Sequence, residues 1–290
     1  MQNGFDYIIA RQRSWAANNE IDLMGSAGSR GAKNYTMALE QNLFEPLLPE
    51  VAESFSGGDG NEIGGGSGKP GKMQAVHSSS AIGVNIFQYW QRVGQPSEIA
   101  AACGLCRSGS DISRQIVFED KFPIDSKFSF PPNIDVTFHN KSSARYKCFA
   151  VECKFSEAYR KSSGNHGMKP AYLALDRLWQ DLPGLKKLAE TISPEDDKFF
   201  HLHPAQLIKH ILGLKEAYGK NGFRLMYLWY DVPGKEGVAH RDEIEIFAEA
   251  ALSDGVKFHA LSYQTLIARL DKKFRAEHGE YIAYITERYL

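Results

Sequence analysis

Two short apolar segments near the middle of the chain carry charged residues at positions that an apolar strand seldom holds. The first covers residues 133–138 and the second covers 146–155, with a polar break between them. Side chains alternate between the two faces of a strand, so Glu152 and Lys154 share a face. A short polar turn most simply joins an antiparallel pair, which brings Asp135 opposite Glu152. We therefore predict a hairpin that gathers two carboxylates and an ammonium group, with a core face on one side and a chemical face on the other.

Composition limits the class of protein. The chain has 290 residues, of which 43% are hydrophobic, which is enough for one large domain or for a domain with an extension. A net charge of -1 excludes a bulk polycation, so any nucleic-acid contact would come from a local basic face. There is no apolar run of transmembrane length and no signal-peptide pattern, which predicts a cytoplasmic protein without membrane contact.

The order of patterns along the chain predicts a mixed α/β fold. We expect three segments: an N-terminal helical extension over 1–56, a glycine-rich flexible loop over 57–75 and a compact domain over 76–290. Within the extension, the chain should be polar and irregular up to residue 35 and should then form a broken helix. The elements predicted within that domain are a helix over 77–90, strands over 115–124, 133–138 and 146–155, helices over 170–191 and 204–218, a strand over 223–230, a helix over 240–252, a strand over 256–261 and a helical C-terminus from residue 263.

The predicted hairpin suits one kind of chemistry. Two carboxylates that face each other repel unless a cation joins them, and a hard divalent ion such as Mg²⁺ prefers oxygen ligands. Lys154 beside such an ion can orient or deprotonate a water molecule and offset charge in the transition state. Hydrolysis of a phosphodiester needs this division of roles. The structural alternative is a salt bridge on the solvated face of an edge strand.

The order of acid, acid and lysine resembles the PD-(D/E)XK nuclease superfamily, whose core is a helix, three antiparallel strands, a helix and a strand. The likeness covers residues 76–231, and the wider sequence context looks like a bacterial group of predicted restriction endonucleases within it. It implies a restriction-endonuclease-like core with a central mixed sheet of three antiparallel strands and a further strand, flanked by helices. Asp135 and Glu152 take the places of the two acids, and Lys154 that of the lysine; Asn133-Ile134 replaces the proline before the first acid.

The same resemblance implies a wider site. Glu119 is the best match for an additional upstream acid, Gln206 for a glutamine on the helix after the lysine, and the backbone carbonyl of Cys153 for a further metal ligand. It implies Mg²⁺ as the cofactor, with Mn²⁺ as a substitute, DNA as the substrate and a possible homodimer. Without the resemblance, Glu119 is about as well explained as a surface charge, and Gln206 is better explained as a polar residue of a helix surface, as is His210 one turn later.

Acid-X-lysine triplets also occur elsewhere, because charged residues make up 24% of the chain. One example is Asp196-Asp-Lys198, but only Glu152-Cys-Lys154 lies in a strongly apolar strand that follows an acid-bearing strand. The sequence thus favours a metal-dependent DNA endonuclease. Such an enzyme is expected to lose its DNA cleavage activity when a chelator removes the metal. Two alternatives stay open: a catalytically inactive nucleic-acid-binding module of the same fold, and an RNA-cleaving or junction-resolving nuclease.

Overall fold

A computed structural model describes residues 3–57, 62–65, 68–160 and 166–290. Ten α-helices and seven strands are assigned within these ranges, together with short 3-10 turns. In chain order they are α1 Gly4–Asn18, β1 Leu23–Ala27, β2 Arg30–Thr36, α2 Pro49–Ser56, α3 Ser79–Arg92, α4 Pro96–Ala102, β3 Ser113–Lys121, β4 Asn133–Asn140, β5 Cys148–Lys154, α5 Pro170–Leu173, α6 Pro183–Thr191, α7 Pro204–Tyr218, β6 Phe223–Trp229, α8 Lys235–Ser253, β7 Phe258–Ser262, α9 Tyr263–Phe274 and α10 Gly279–Tyr289.

The central sheet has five strands in the order β3-β4-β5-β6-β7. The first three are antiparallel, and β6 and β7 run parallel to β5. The mixed α/β fold and the antiparallel pairing of the predicted hairpin are therefore confirmed. Two features differ from the prediction: a fifth strand extends the sheet beyond β6, and β1 pairs with β2 in a separate two-stranded sheet.

Both faces of the central sheet are covered by apolar side chains. One core joins the sheet to α1, α3, α9 and α10, and includes Phe149, Val151 and Cys153 of β5. The other joins it to α6, α7 and α8, and includes Cys148 and Ala150 on the face that also carries Glu152. The prediction of one core face and one chemical face is therefore wrong, because the charged end of β5 continues a face that is itself packed.

The first 35 residues are ordered where the structure describes them, so their prediction as an irregular segment is wrong. Asn3 caps α1 by accepting a hydrogen bond from the Asp6 N–H at 2.8 Å. Ile8 of that helix belongs to the core beneath the sheet. The hairpin of β1 and β2 follows, and Gly28 has a φ of 70° at its turn, a conformation that glycine adopts without a steric penalty.

Two predicted helices are interrupted. The segment 170–191 is divided into α5, a 3-10 turn and α6, and a proline opens each of the two helices. Pro183 lacks the N–H that a continuing helix would use, so a break before it follows from its chemistry. Within 35–55, only α2 is α-helical, and a 3-10 turn covers Leu39–Asn42.

Part of the glycine-rich stretch packs against the rest of the protein. Met73 is fully buried, and the Asn42 amide donates to the carbonyl oxygens of Met73 and Ala75 at 2.6 and 2.9 Å. Residues 58–61 and 66–67, on which much of the predicted loop falls, lie outside the described residues. The division at 56 and 75 stays a prediction.

A search of the described helices for one long and apolar enough to cross a bilayer finds none.

The C-terminal helix is tied to the N-terminal part by a buried arginine. Arg288 is 1% exposed, donates to the Asn42 carbonyl at 2.8 Å and to the Gln12 Oε1 at 3.1 Å, and lies 4.0 Å from the centre of the Trp15 ring.

We expect Arg288→Met to lower the free energy of unfolding by about 2 kcal/mol, because it removes donors from buried acceptors. Urea unfolding measures the free energy of unfolding of the variant and of the wild type. Arg275→Met, at an exposed position, is the control and should change nothing measurable; equal stability of both variants would contradict the expectation.

Candidate active site

The site lies where strands β4 and β5 separate. Their pairing ends at Val136 and Val151, so the next residues, Asp135 and Glu152, lie beyond the last paired rung. There the Asp135 carboxylate takes the place of a main-chain acceptor, and its Oδ2 accepts a hydrogen bond from the Cys153 N–H at 2.7 Å. The separation of the strands therefore fixes the first acid against the strand that carries the second.

Glu152 is fully buried and lies between the side chains of Lys154 and His210. The Lys154 Nζ is 2.7 Å from its Oε1, and the His210 Nε2 on α7 is 2.8 Å from its Oε2. Burial by itself would raise the pKa of Glu152, but the charges of Lys154 and His210 outweigh burial and hold that pKa below its usual value. Glu152 is thus an ionised carboxylate in the interior of the protein.

Asp135 has the opposite electrostatic environment. Burial raises the pKa of Asp135 well above its usual value, and the neighbouring charges of Glu152 and Glu119 raise it further. Lys154 and the Cys153 N–H lower it, without offsetting the first effects. Neighbouring charges therefore shift the pKa values of the two acids in opposite directions, an arrangement that recurs at functional sites.

Glu119 lies at a point where strand β3 reverses its faces. Its φ of 54° is in the left-handed region, which is strained for a residue with a side chain. Before it, Ile116 and Phe118 belong to one core; after it, Phe122 belongs to the other, so the buried side chains change faces at Glu119. The kink directs the carboxylate toward the site, where the Asn133 Nδ2 donates to it.

The chemistry of Glu119 is altered by this placement. Burial raises the pKa of Glu119 to about 7, and the charges of Glu62 and Glu152 contribute, while the hydrogen bond from Asn133 opposes the shift. The charge of Glu152 thus acts on both Glu119 and Asp135. Their proposed catalytic roles stay predictions.

The donor set fits a hard divalent cation. No group of three or more His, Cys, Asp or Glu side chains in the described ranges could enclose a metal ion. Mg²⁺ does not need such a cage, since it commonly takes one or two carboxylates and keeps several waters. Burial raises the pKa of Asp135 and of Glu119, and neighbouring carboxylates contribute; a bound cation would oppose both effects. The carbonyl of Cys153, between Glu152 and Lys154, is available as a predicted further ligand.

Gln206 lies near the site but makes no hydrogen bond to the three acids among the residues that the structure describes. It lines a cavity of about 450 Å³ together with His210 and Asn133, which contact Glu152 and Glu119. Gln206 is thus linked to Glu152 and Glu119 only through residues that line the same cavity. Gln206 lies on α7, a helix that follows Lys154 in the chain, as the sequence indicated.

Without the family resemblance, the sequence explained His210 as a polar residue of a helix surface, which is wrong, because its side chain is only 1% exposed. It lies four residues after Gln206 on α7, one turn along the same face, and this spacing was the available signal. What the sequence did not contain is the packing of α7 under β5, which brings the imidazole to Glu152. Asn133, the partner of Glu119, gave no signal because its role depends on the kink in β3.

Comparison with known proteins gives one match. The family model described as restriction endonuclease associating with ARP matches residues 10–290. No curated protein and no solved structure matches the chain.

Proposed function

Since the chain belongs to this restriction endonuclease family, we propose that it is a metal-dependent endonuclease of the PD-(D/E)XK type that hydrolyses DNA phosphodiester bonds. The observation that carries the proposal is the convergence of Asp135, Glu152 and Lys154 at the open end of the β4 and β5 pair. The arrangement of a helix, three antiparallel strands, a helix and a parallel strand supports a restriction-endonuclease-like core.

In this proposal Asp135 and Glu152 hold the metal, with the Cys153 carbonyl and Glu119 as further oxygen donors. The cation, Mg²⁺ or Mn²⁺ in its place, lowers the pKa of a water molecule and neutralises phosphate charge when it is bound. His210 keeps the Glu152 carboxylate in one orientation through the hydrogen bond to its Oε2. The kink at Glu119 sets a third carboxylate at the edge of the same group.

Lys154 acts in this proposal as a positive charge. Burial would lower the pKa of Lys154, but the Glu152 and Glu157 carboxylates raise it above its usual value. The amine is therefore protonated at neutral pH, so it orients the attacking water and offsets charge on the phosphate instead of removing a proton. Of the two roles that the sequence left open for Lys154, the raised pKa supports orienting the water over deprotonating it.

We expect Lys154→Met to slow Mg²⁺-dependent cleavage of a supercoiled plasmid by about 100-fold, because it removes a charge aimed at the transition state. Gel analysis of nicked and linear products over time measures the rate, with a chelator lane expected to show no cleavage. Lys198→Met is the matched control, since Lys198 belongs to an acid-X-lysine triplet on an exposed turn.

Cleavage by Lys154→Met at the wild-type rate, with circular dichroism showing a folded protein, would contradict the assignment. Salt-dependent DNA binding by the wild type with no cleavage in Mg²⁺ or Mn²⁺ would favour the inactive binding module. A panel of duplex DNA, RNA and branched junctions separates the nuclease alternatives, and sedimentation with and without DNA tests the proposed dimer.

A further inference from the structure

The cavity beside the acidic cluster has properties that the acids do not explain. Its volume of about 450 Å³ falls within the range of roughly 300–1,000 Å³ that is usual for pockets binding small molecules. It lies between the segment before β4, the chain before α5 and the first turns of α7. Asp135, Glu152 and Lys154 do not line it, so it is a neighbouring space with its own surface.

Two lysines give this cavity a positive charge. Lys169 and Lys209 line it, and neither forms a salt bridge with any acid in the described residues. Burial lowers the pKa of Lys209, and the nearby charge of Lys169 lowers it further, so the two amines repel each other. The charge of Glu152 opposes this shift, but no acid of the described ranges lines the cavity itself, so the two lysines give its wall a positive charge that suits a phosphate group.

Two buried polar atoms of the wall also lack a partner. The Nδ1 of His210, a residue only 1% exposed, and the Oδ1 of Asn133 have no hydrogen-bond partner among the described residues. The other polar atom of each side chain is engaged, with Glu152 and with Glu119. The Asn133 oxygen can only accept a hydrogen bond. Buried polar atoms without partners are costly, and an unpartnered acceptor indicates a missing ligand that donates a hydrogen bond.

The mouth of the cavity carries an exposed aromatic ring. Phe130 is 77% exposed and lines the cavity, just before Pro131 and Pro132. The two prolines restrict the backbone next to the ring, so a ligand that stacks on it meets a partly ordered surface. Exposed rings beside a cationic groove suit nucleobases, because every base has a face that can stack.

We propose that this cavity receives one unpaired nucleotide of the DNA substrate, adjacent to the phosphate that is cut. The phosphate of that nucleotide binds Lys169 and Lys209, an amino edge of its base donates to the Asn133 oxygen, and Phe130 covers the ring. The inference rests on the proposed function, since it specifies the substrate as DNA with an unstacked or extruded nucleotide near the scissile bond. Extruding a base costs least where it is already unpaired.

The test compares two duplexes of the same sequence, one fully paired and one with a single bulged nucleotide carrying an amino group. Binding to the full-length protein is measured by fluorescence anisotropy in chelator and at one ionic strength, so that hydrolysis plays no part. We expect the bulged duplex to bind about 10-fold more tightly, and Phe130→Ala and Lys209→Met each to reduce this preference several-fold. The matched controls are Phe200→Ala, at a ring 73% exposed outside the cavity, and Lys187→Met on α6, which should keep it.

Equal affinity for the two duplexes would overturn the inference, and so would a preference that survives both cavity substitutions. Thermal unfolding of each variant shows whether it is folded. If Lys209→Met does not fold, Lys169→Met tests the same cavity at an exposed position. Failure of the proposed function is distinguishable: a protein that prefers the bulged duplex but cuts no DNA in Mg²⁺ retains the nucleotide site and loses the nuclease assignment. A protein that cuts DNA in Mg²⁺ without any preference for the bulged duplex retains the nuclease assignment and loses the nucleotide site.

Discussion

Asp135→Asn is expected to abolish DNA cleavage, by about 10³-fold or more, while leaving the protein folded and more stable than the wild type. The amide oxygen can still accept the hydrogen bond from the Cys153 N–H, so the local structure is kept. The negative charge that would bind a divalent cation is removed, and metal assistance contributes several kcal/mol to phosphoryl chemistry. Plasmid cleavage at saturating Mg²⁺ measures the first effect.

The gain in stability follows from the sign of the pKa shift. The pKa of Asp135 is raised in the folded protein, mainly by burial and then by Glu152, so its charged form disfavours the fold. As pH rises above the usual pKa of an aspartate, the unfolded chain loses this proton first and the folded protein becomes less stable. At neutral pH the asparagine should therefore increase the free energy of unfolding by about 1 kcal/mol in chelator.

Asp196→Asn is the matched control for this substitution. Asp196 also accepts main-chain N–H groups, from Lys198 at 3.0 Å and from Phe199 at 3.1 Å, and begins an acid-X-lysine triplet. It lies outside the converging acids, so its amide should leave cleavage unchanged. If Asp135→Asn cut DNA like the wild type, or if both variants lost activity equally, the assignment of Asp135 to the metal would be wrong.

The hairpin was predictable because its information is local. Apolar alternation over 146–155, a polar turn and the spacing of Glu152 and Lys154 determine the strands and their faces without reference to distant residues. The structure confirms the antiparallel pairing and brings the Lys154 Nζ within 2.7 Å of Glu152. Helix α7 was predictable over its full length for the same reason, since an opening proline and a helical apolar repeat mark it clearly.

The remainder of the site depends on contacts between distant segments. Nothing local to Glu119 predicts a positive φ, since the strained conformation is maintained by packing on both sides of the sheet. His210 reaches Glu152 only because α7 packs beneath β5, across 58 positions of sequence. The N-terminal helix was missed for a different reason: its signals, an Asn3 cap and the spacing of Ile8 and Trp15, were present but weaker than the polar composition around them.

A second large effect is expected from the response of stability to Mg²⁺ and pH. In chelator, burial holds the pKa of Glu119 at about 7 in the folded protein, above its unfolded value. Between roughly pH 4.5 and 7 the unfolded chain loses this proton while the folded protein keeps it, so stability falls as pH rises, by an amount on the order of 2 kcal/mol. Above pH 7 both states are ionised and the loss is complete.

Mg²⁺ should reverse this trend, because it binds the ionised carboxylates and therefore competes with protons. At 100 times its dissociation constant it adds about 2.7 kcal/mol to the free energy of unfolding. This gain is expected at pH 8 and should be smaller at pH 5.5, where Glu119 retains its proton. Urea unfolding at the two pH values, each with Mg²⁺ and with chelator, measures all four states.

Glu119→Gln separates this acid from Asp135. It should flatten the pH dependence in chelator and weaken the gain from Mg²⁺ at pH 8, whereas Glu245→Gln on the exposed side of α8 should change neither. A Mg²⁺ gain of equal size at both pH values would mean that the ion binds elsewhere, since ions at these carboxylates must displace protons. A gain that depends on pH but not on Glu119 would assign the pH dependence to Asp135, because Glu152 is ionised at both pH values.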